Sequence, residues 1–273
     1  MQPLRHHASL PLPAFSRPRP PTVAPGQAAR TTRDYRHGAD FTGQEPMPED
    51  PSQRMGVLAR RYYGMYCQFV AGAVDKHKCQ RCWFLAQNCA CEAMERVSGS
   101  VFAPHRVLLL MHFRELCRAS NSGRILLAPP SNRGFVFGMQ AQESALIGEI
   151  NAFKGRSVIL WPGPGSITFE ELRCEPGEQL QIIVLDGTWN NSRAMDRVLP
   201  RDIPRVRLSG STRTEFGGTR KHKDKERVCT AGACLHALRE LGAPPEQLQP
   251  LADAINVFFD THSNQRRIDR LRE

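Results

Sequence analysis

Apolar positions along the chain fall into short runs separated by stretches of helical periodicity. The runs cover residues 107–111, 125–128, 157–161, 181–185 and 205–208. Each is of strand length and nearly uninterrupted, the pattern of a strand covered on both faces. Candidate helices lie at 143–153, 192–199, 232–241 and 247–259. An earlier one is predicted from Ser52 to Val74, where Met55, Leu58, Ala59 and Tyr62 recur at i, i+3, i+4 and i+7. Strands alternating with helices predict an α/β fold around a mostly parallel sheet. No run approaches the roughly 18 apolar residues a membrane span needs, so the chain reads as a soluble protein with no membrane partner.

The pattern is missing from residues 1–54. The first 33 residues carry Arg5, Arg17, Arg19, Arg30 and Arg33, no acidic residue and many prolines. Such a segment buries too little apolar surface to offset the entropy of ordering and reads as disordered. Its basic, acid-free start also resembles an organellar targeting sequence, although the proline density opposes the amphipathic helix such sequences use. The organisation is therefore a basic, Pro-rich segment (1–54) followed by one domain (55–273). The residence expected is intracellular, cytoplasmic or nuclear, with an organelle as the second reading. Oligomeric state leaves no trace in the sequence.

Three of the apolar runs end on stiff or glycine-containing turns. Residues 125–128 run into Pro129-Pro130, Trp161 into Pro162-Gly163-Pro164-Gly165, and Leu185 into Asp186-Gly187. In open α/β sheets, ligands bind outside the carboxyl ends of the strands. Asp186, Thr188 and Trp189 would place a carboxylate, a hydroxyl and an indole there. Asp-Gly also marks ordinary turns, so spacing alone leaves both readings open.

Charge adds a partner class. The net charge is +10, from 37 Lys+Arg against 27 Asp+Glu. Residues 193–227 hold 11 basic and 5 acidic residues, so +6 of the excess lies in 35 positions. Within them, Arg213, Arg220, Lys221 and Lys223 surround Phe216 and the Gly217-Gly218 pair. Mobile cations of this kind suit a phosphate backbone, and Phe216 can stack on a base. A solvated charged loop is the plainer alternative.

Two clusters carry chemistry. Cys79, Cys82, Cys89 and Cys91 form a C-x2-C-x6-C-x-C array, four of the nine cysteines. Four thiolates so close can close a tetrahedral sphere around zinc, with no position left for water, so the site reads as structural. An iron–sulfur cluster is the competing reading, disfavoured because nothing else in the chain points to redox work. Cys67, Cys117, Cys174, Cys229 and Cys234 read as buried small hydrophobes. The second cluster spaces His112, Glu115, Arg118 and Asn121 three residues apart, so a short helix would align them. His112 and Glu115 would form an orienting pair, and Arg118 would reach phosphate.

Taken together, Asp186-Gly187-Thr188-Trp189, the cysteine array, His112-x-x-Glu115-x-x-Arg118-x-Ser120-Asn121-Ser122-Gly123, Trp161-Pro162-Gly163, and Arg220-Lys221 followed by Cys229-Thr230 resemble the DTW-domain proteins over about residues 75–240. Two features depart from the family pattern: Gly217-Gly218 with residues 222–226 expand the basic tract, and Cys229 stands in a Ser-Thr position. The resemblance implies a SPOUT-like sheet with a C-terminal trefoil knot and transfer of the 3-amino-3-carboxypropyl group of S-adenosylmethionine to uridine N3 in tRNA. It implies Asp186, Thr188 and Trp189 as catalytic residues, and Leu160, Pro162, Gly163, Leu185, Gly187 and Asn121 around the donor. Arg118, Arg213, Arg220, Lys221 and Lys223 would contact RNA. The alternatives are a SPOUT-type RNA methyltransferase, a zinc-containing RNA-binding protein without catalysis, and ribosomal RNA as acceptor.

Overall fold

The structure, a computed structural model, describes residues 46–71, 77–175, 177–210 and 228–271. Helix α1 (Pro51–Val70) opens the described chain, beginning inside the segment that the apolar pattern assigns to the N-terminal tail. The cysteine loop and the short helix α2 (Cys91–Glu95) follow. Strand β1 (Arg106–His112) and strand β2 (Arg133–Phe137) come next, then helix α3 (Gln140–Ala152), β3 (Arg156–Leu160), the one-turn α4 (Phe169–Leu172), and β4 (Leu180–Asp186). The rest is α5 (Trp189–Val198), β5 (Arg205–Val206), α6 (Thr230–Glu240) and α7 (Pro245–Leu271).

The sheet has five strands in the order β2-β1-β4-β3-β5, and every pairing is parallel. Side chains alternate along each strand, so each strand feeds two cores. Val107, Leu109 and Met111 of β1, with Ile182 and Val184 of β4, pack under α1, α6, α7 and the cysteine loop. Leu108 and Leu110, with Ile183 and Leu185, pack under α3 and α5. Burial on both faces explains why these strands are apolar without alternation.

One expected strand is not a strand. Residues 125–128 lie in a 3₁₀ segment, Gly123–Leu127, that packs its buried side chains against the sheet. The strand is Arg133–Phe137 instead, after the Pro129-Pro130 turn. A short apolar run does not distinguish a buried strand from a buried helical turn. Here Asn132 fixes the outcome: it accepts a hydrogen bond from the Val107 N–H (2.9 Å) and donates to Leu126 O (2.7 Å), tying the 3₁₀ segment to the start of β1.

The order of strands locates a crevice. β1 and β4 are neighbours, yet the chain leaves β1 toward the β2 edge and β4 toward the β5 edge. Ligands of open α/β sheets bind at such a reversal, outside the carboxyl ends of the two strands. Those ends are His112 and Asp186. No described helix is long and apolar enough to cross a membrane.

Candidate active site and metal centre

Asp186 is the last residue of β4, and pleating turns it toward α6 and the loop after β1. It is 4 % exposed. Asn121 Nδ2 donates to its Oδ2 at 2.7 Å, and the Thr230 hydroxyl donates to its Oδ1 at 2.6 Å. Charge-assisted bonds of this length fix a carboxylate firmly. Gly123 presses on the same group: a Cβ there would meet the Asp186 carboxyl atoms at 2.8–3.0 Å. Residues 65 and 44 positions away in the chain thus converge on one side chain.

Thr230 carries no assigned role in the sequence, although it belongs to the Cys229-Thr230 pair that departs from the family pattern. The departure is harmless to the local fold. Cys229 caps α6, its Sγ accepting from the Gly232 N–H at 3.2 Å, as a serine hydroxyl would.

His112 ends β1 on the opposite face, 5 % exposed, stacked on Phe113 at 4.3 Å and near Phe137 at 5.7 Å. The expected helix through residues 112–121 shrinks to the 3₁₀ turn Phe113–Glu115, and His112 caps it: Nδ1 accepts from the Arg114 N–H at 3.2 Å. With Nδ1 an acceptor, the neutral ring carries its proton on Nε2. Burial, with the Arg114 guanidinium, pushes this histidine down to about 4, so it is neutral at physiological pH. The expected His112–Glu115 pair is replaced, because Glu115 binds Arg118 at 2.6 Å. Arg118 therefore stands at the rim already paired.

The other strand-end loops border the same edge. Leu160 pairs in register with Val184, one residue before Leu185, so Pro162-Gly163 follows β3 beside Asp186-Gly187. Gly163 packs on the Trp161 indole, where a Cβ would lie 2.5 Å from Nε1. Gly187 is similarly confined between Asn191, Met195 and His112. Thr188 caps α5: its Oγ1 accepts from the Asn191 N–H at 3.4 Å. Trp189 is 42 % exposed and lies over the buried Trp161, centroids 5.2 Å apart. Of the residues the sequence nominates for the donor, Leu160, Leu185, Gly187 and Asn121 are brought to this edge with Pro162 and Gly163.

The four cysteines of the array do converge. Their sulfurs all lie within 4.8 Å of one another, with Cys79–Cys91 at 3.4 Å and Cys82–Cys89 at 3.7 Å. A tetrahedral zinc with Zn–S bonds of about 2.3 Å has sulfur–sulfur edges of about 3.8 Å, so the donor set fits. Of the cysteines read as buried hydrophobes, Cys229 and Cys234 are buried, Cys117 and Cys174 half-buried, and Cys67 exposed.

Part of the basic stretch is spent on structure. Arg205 binds Asp196 at 2.9 Å and donates to the Leu199, Pro200 and Ile203 carbonyls after α5. Arg207 reaches Glu171 at 3.5 Å and bonds Ser166 O. Arg213, Phe216, Arg220, Lys221 and Lys223 lie outside the described residues.

A family model described as DTW domain matches residues 76–263. No curated protein and no solved structure matches the chain.

Proposed function

The chain belongs to the DTW-domain family, and from that premise we propose that it transfers the 3-amino-3-carboxypropyl group of S-adenosylmethionine to N3 of a uridine in tRNA. The observation that carries this reading is the fixed carboxylate of Asp186 at the reversal point between β1 and β4. In the reaction the uridine N3–H loses its proton, and the nitrogen lone pair attacks the γ-carbon of the donor. The C–S electron pair goes to sulfur, and methylthioadenosine departs as a neutral thioether.

Asp186 is the proton acceptor in this scheme. It is almost wholly covered, and its Oδ1 already takes the proton of the half-buried Thr230 hydroxyl. The economical route is a relay: Thr230 Oγ1 accepts from N3 as its own proton passes to Asp186. Orientation is the larger task, since the γ-carbon rather than the methyl must face the nitrogen. The Trp161-Pro162-Gly163 and Leu185-Asp186-Gly187 segments, with Leu160 and Asn121, supply the donor's walls, and Trp189 stacks on a base or on the adenine. Thr188 acts by fixing the start of α5. Arg118, Arg213, Arg220, Lys221 and Lys223 track the RNA backbone. A SPOUT-like fold with a C-terminal knot belongs to the same reading.

Zinc held by Cys79, Cys82, Cys89 and Cys91 would order the loop ahead of β1. It supplies no step of the transfer.

The test is mass spectrometry of nucleosides from tRNA and, separately, ribosomal RNA, after incubation with the protein and S-adenosylmethionine. Aminocarboxypropyl-uridine with methylthioadenosine is expected from tRNA. Methylated nucleosides with S-adenosylhomocysteine would make the protein a methyltransferase instead, and RNA binding without either product a non-catalytic binder.

A further inference from the structure

Arg124 is the largest fully buried side chain among the described residues, with 0 % exposure. Its guanidinium lies 4.9 Å from the Trp83 ring and 4.8 Å from those of Phe84 and Phe258. Among the described residues its guanidinium makes one hydrogen bond, from Nη2 to Ala119 O at 3.0 Å; Nε and Nη1 are buried with no hydrogen-bond partner there. A buried ion in this state is costly unless a countercharge stands near it. Burial brings the group down to about 10, so it remains charged at neutral pH.

The cysteine array adjoins this cage: Trp83 and Phe84, two of the three rings around the guanidinium, directly follow Cys82. Four thiolates around a divalent metal keep a net charge of about −2, which needs a cation in a dry surrounding. The cage also grows from the array itself. Trp83 directly follows Cys82, and it is held at φ 59°, in the left-handed region that a tryptophan rarely adopts. That conformation survives only where neighbours impose it. The Trp83 N–H on Cys79 O (2.8 Å) and the Cys79 N–H on Phe84 O (2.8 Å) hold the turn that sets both rings against Arg124. From α7, Phe258 closes the third side.

The main chain of Arg124 points the other way. Its N–H donates to Asn121 Oδ1 at 3.3 Å, which orients that amide so that Nδ2 meets Asp186. One residue therefore touches the metal centre through its side chain and the Asp186 donor through its backbone. We propose that Arg124 is the countercharge of a metal–tetrathiolate, and that through Asn121 it lets metal occupancy set the position of the Asp186 carboxylate. The first half stands by itself; the second rests on the transferase reading.

The experiment uses the full chain loaded with zinc, as wild type, Arg124→Met and Arg124→Lys. Metal affinity is read by competition with a chromophoric chelator, and the thiolate-to-metal absorption by loading with cobalt. S-adenosylmethionine binding is read by calorimetry. Arg124→Met is expected to weaken metal binding by about 10–100-fold and to shift the cobalt–thiolate band, with Arg124→Lys recovering part of both. Donor affinity should fall in step with metal loss. Metal affinity within about twofold of wild type in a folded Arg124→Met protein would overturn the countercharge role, because cage packing alone does not alter the metal. Should Arg124→Met fail to fold, the wild type decides: the Arg124 Nε–H nitrogen resonance must move when zinc is withdrawn, and an unmoved signal overturns the proposal. Unchanged donor binding in a metal-weakened variant overturns the link to Asp186. A wild type that binds metal and not S-adenosylmethionine overturns the transferase reading and leaves the countercharge standing.

Discussion

The two faces of the sheet meet the same carboxyl edge in different ways. On the face of α6 and α7, Asp186 is gripped by Asn121 and Thr230, Gly123 leaves it no slack, and Arg124 and the cysteine array back the loop that holds it. On the face of α3 and α5, the edge is aromatic: a neutral His112 that caps the turn after β1, a buried Trp161 and an exposed Trp189. One face is built of buried polar and charged groups held by hydrogen bonds and enclosing rings, the other of rings with one side open. Under the proposed transfer this arrangement would divide labour, with position fixed on the charged face and contact with a planar ligand offered on the aromatic one.

Removing the metal should break that division most severely. Cys82→Ser, or chelation, leaves Arg124 buried against an incomplete countercharge. Breaking a buried ion pair costs about 3–5 kcal/mol, and denaturant unfolding of zinc-loaded against apo protein measures it. A loss below about 1 kcal/mol would show that the array does not sustain the charged face. Asp186→Asn comes next. A general base contributes about 10²–10⁴ in rate, so turnover should fall by that factor. Donor affinity, read by calorimetry, should stay within a few-fold. The variant also sets one amide N–H₂ against the Asn121 or Thr230 donor, so Thr230→Val is the companion: if the relay operates, it loses turnover with Asp186 intact. Gly123→Ala should cost about 1–3 kcal/mol by overpacking, since its Cβ would enter the Asp186 carboxyl at 2.8 Å.

The aromatic face answers to pH. His112 is lowered to about 4 from an ordinary 6.5. Between those values the unfolded chain binds the proton that the folded protein refuses, so stability is complete above about 6.5 and declines as pH falls toward 4. His112→Asn keeps an acceptor for the Arg114 N–H and removes the titration. Thermal midpoints of the two proteins should therefore converge as pH falls from 7 to 4, the wild type losing more. Parallel curves would mean that His112 is not held neutral by its surroundings.

The charged face was the less legible of the two in sequence. Strands β1, β3 and β4 follow from uninterrupted apolar runs, and the cysteine array from spacing alone, because both signals are local. Asp186 stood out as the polar residue ending such a run. Its contacts did not: Asn121 stood out for the donor and Gly123 and Thr230 only within longer motifs, and all three meet Asp186 through chain reversals that no periodicity encodes. Arg124 was hidden for another reason. An arginine before Ile125-Leu126-Leu127 looks like the solvent-facing start of a strand, and only the 3₁₀ turn and the three rings around it make it a buried cation. The same misreading concealed β2, whose Gly134 and Arg133 dilute an alternation of Phe135 and Phe137 toward α3 with Val136 toward the other core. Thr188 is the reverse case, a residue singled out by its motif whose hydroxyl also caps α5.

The smallest expected effect on folding falls where the ligand contact should be largest. Trp189 exposes 42 % of its surface and touches Trp161 as a tilted pair. Its truncation to alanine therefore forfeits about 0.5–1.5 kcal/mol of aromatic contact and leaves the charged face untouched. A base stacked on that indole is worth about 1–3 kcal/mol, so Trp189→Ala should weaken tRNA or donor binding by roughly tenfold or more while unfolding hardly changes. Fluorescence titration of the wild type and Trp189→Ala against tRNA and against S-adenosylmethionine assigns the partner of the ring. If neither affinity moves, the open side of the aromatic face is solvent-exposed packing, and recognition of the planar ligand has to come from the charged side as well.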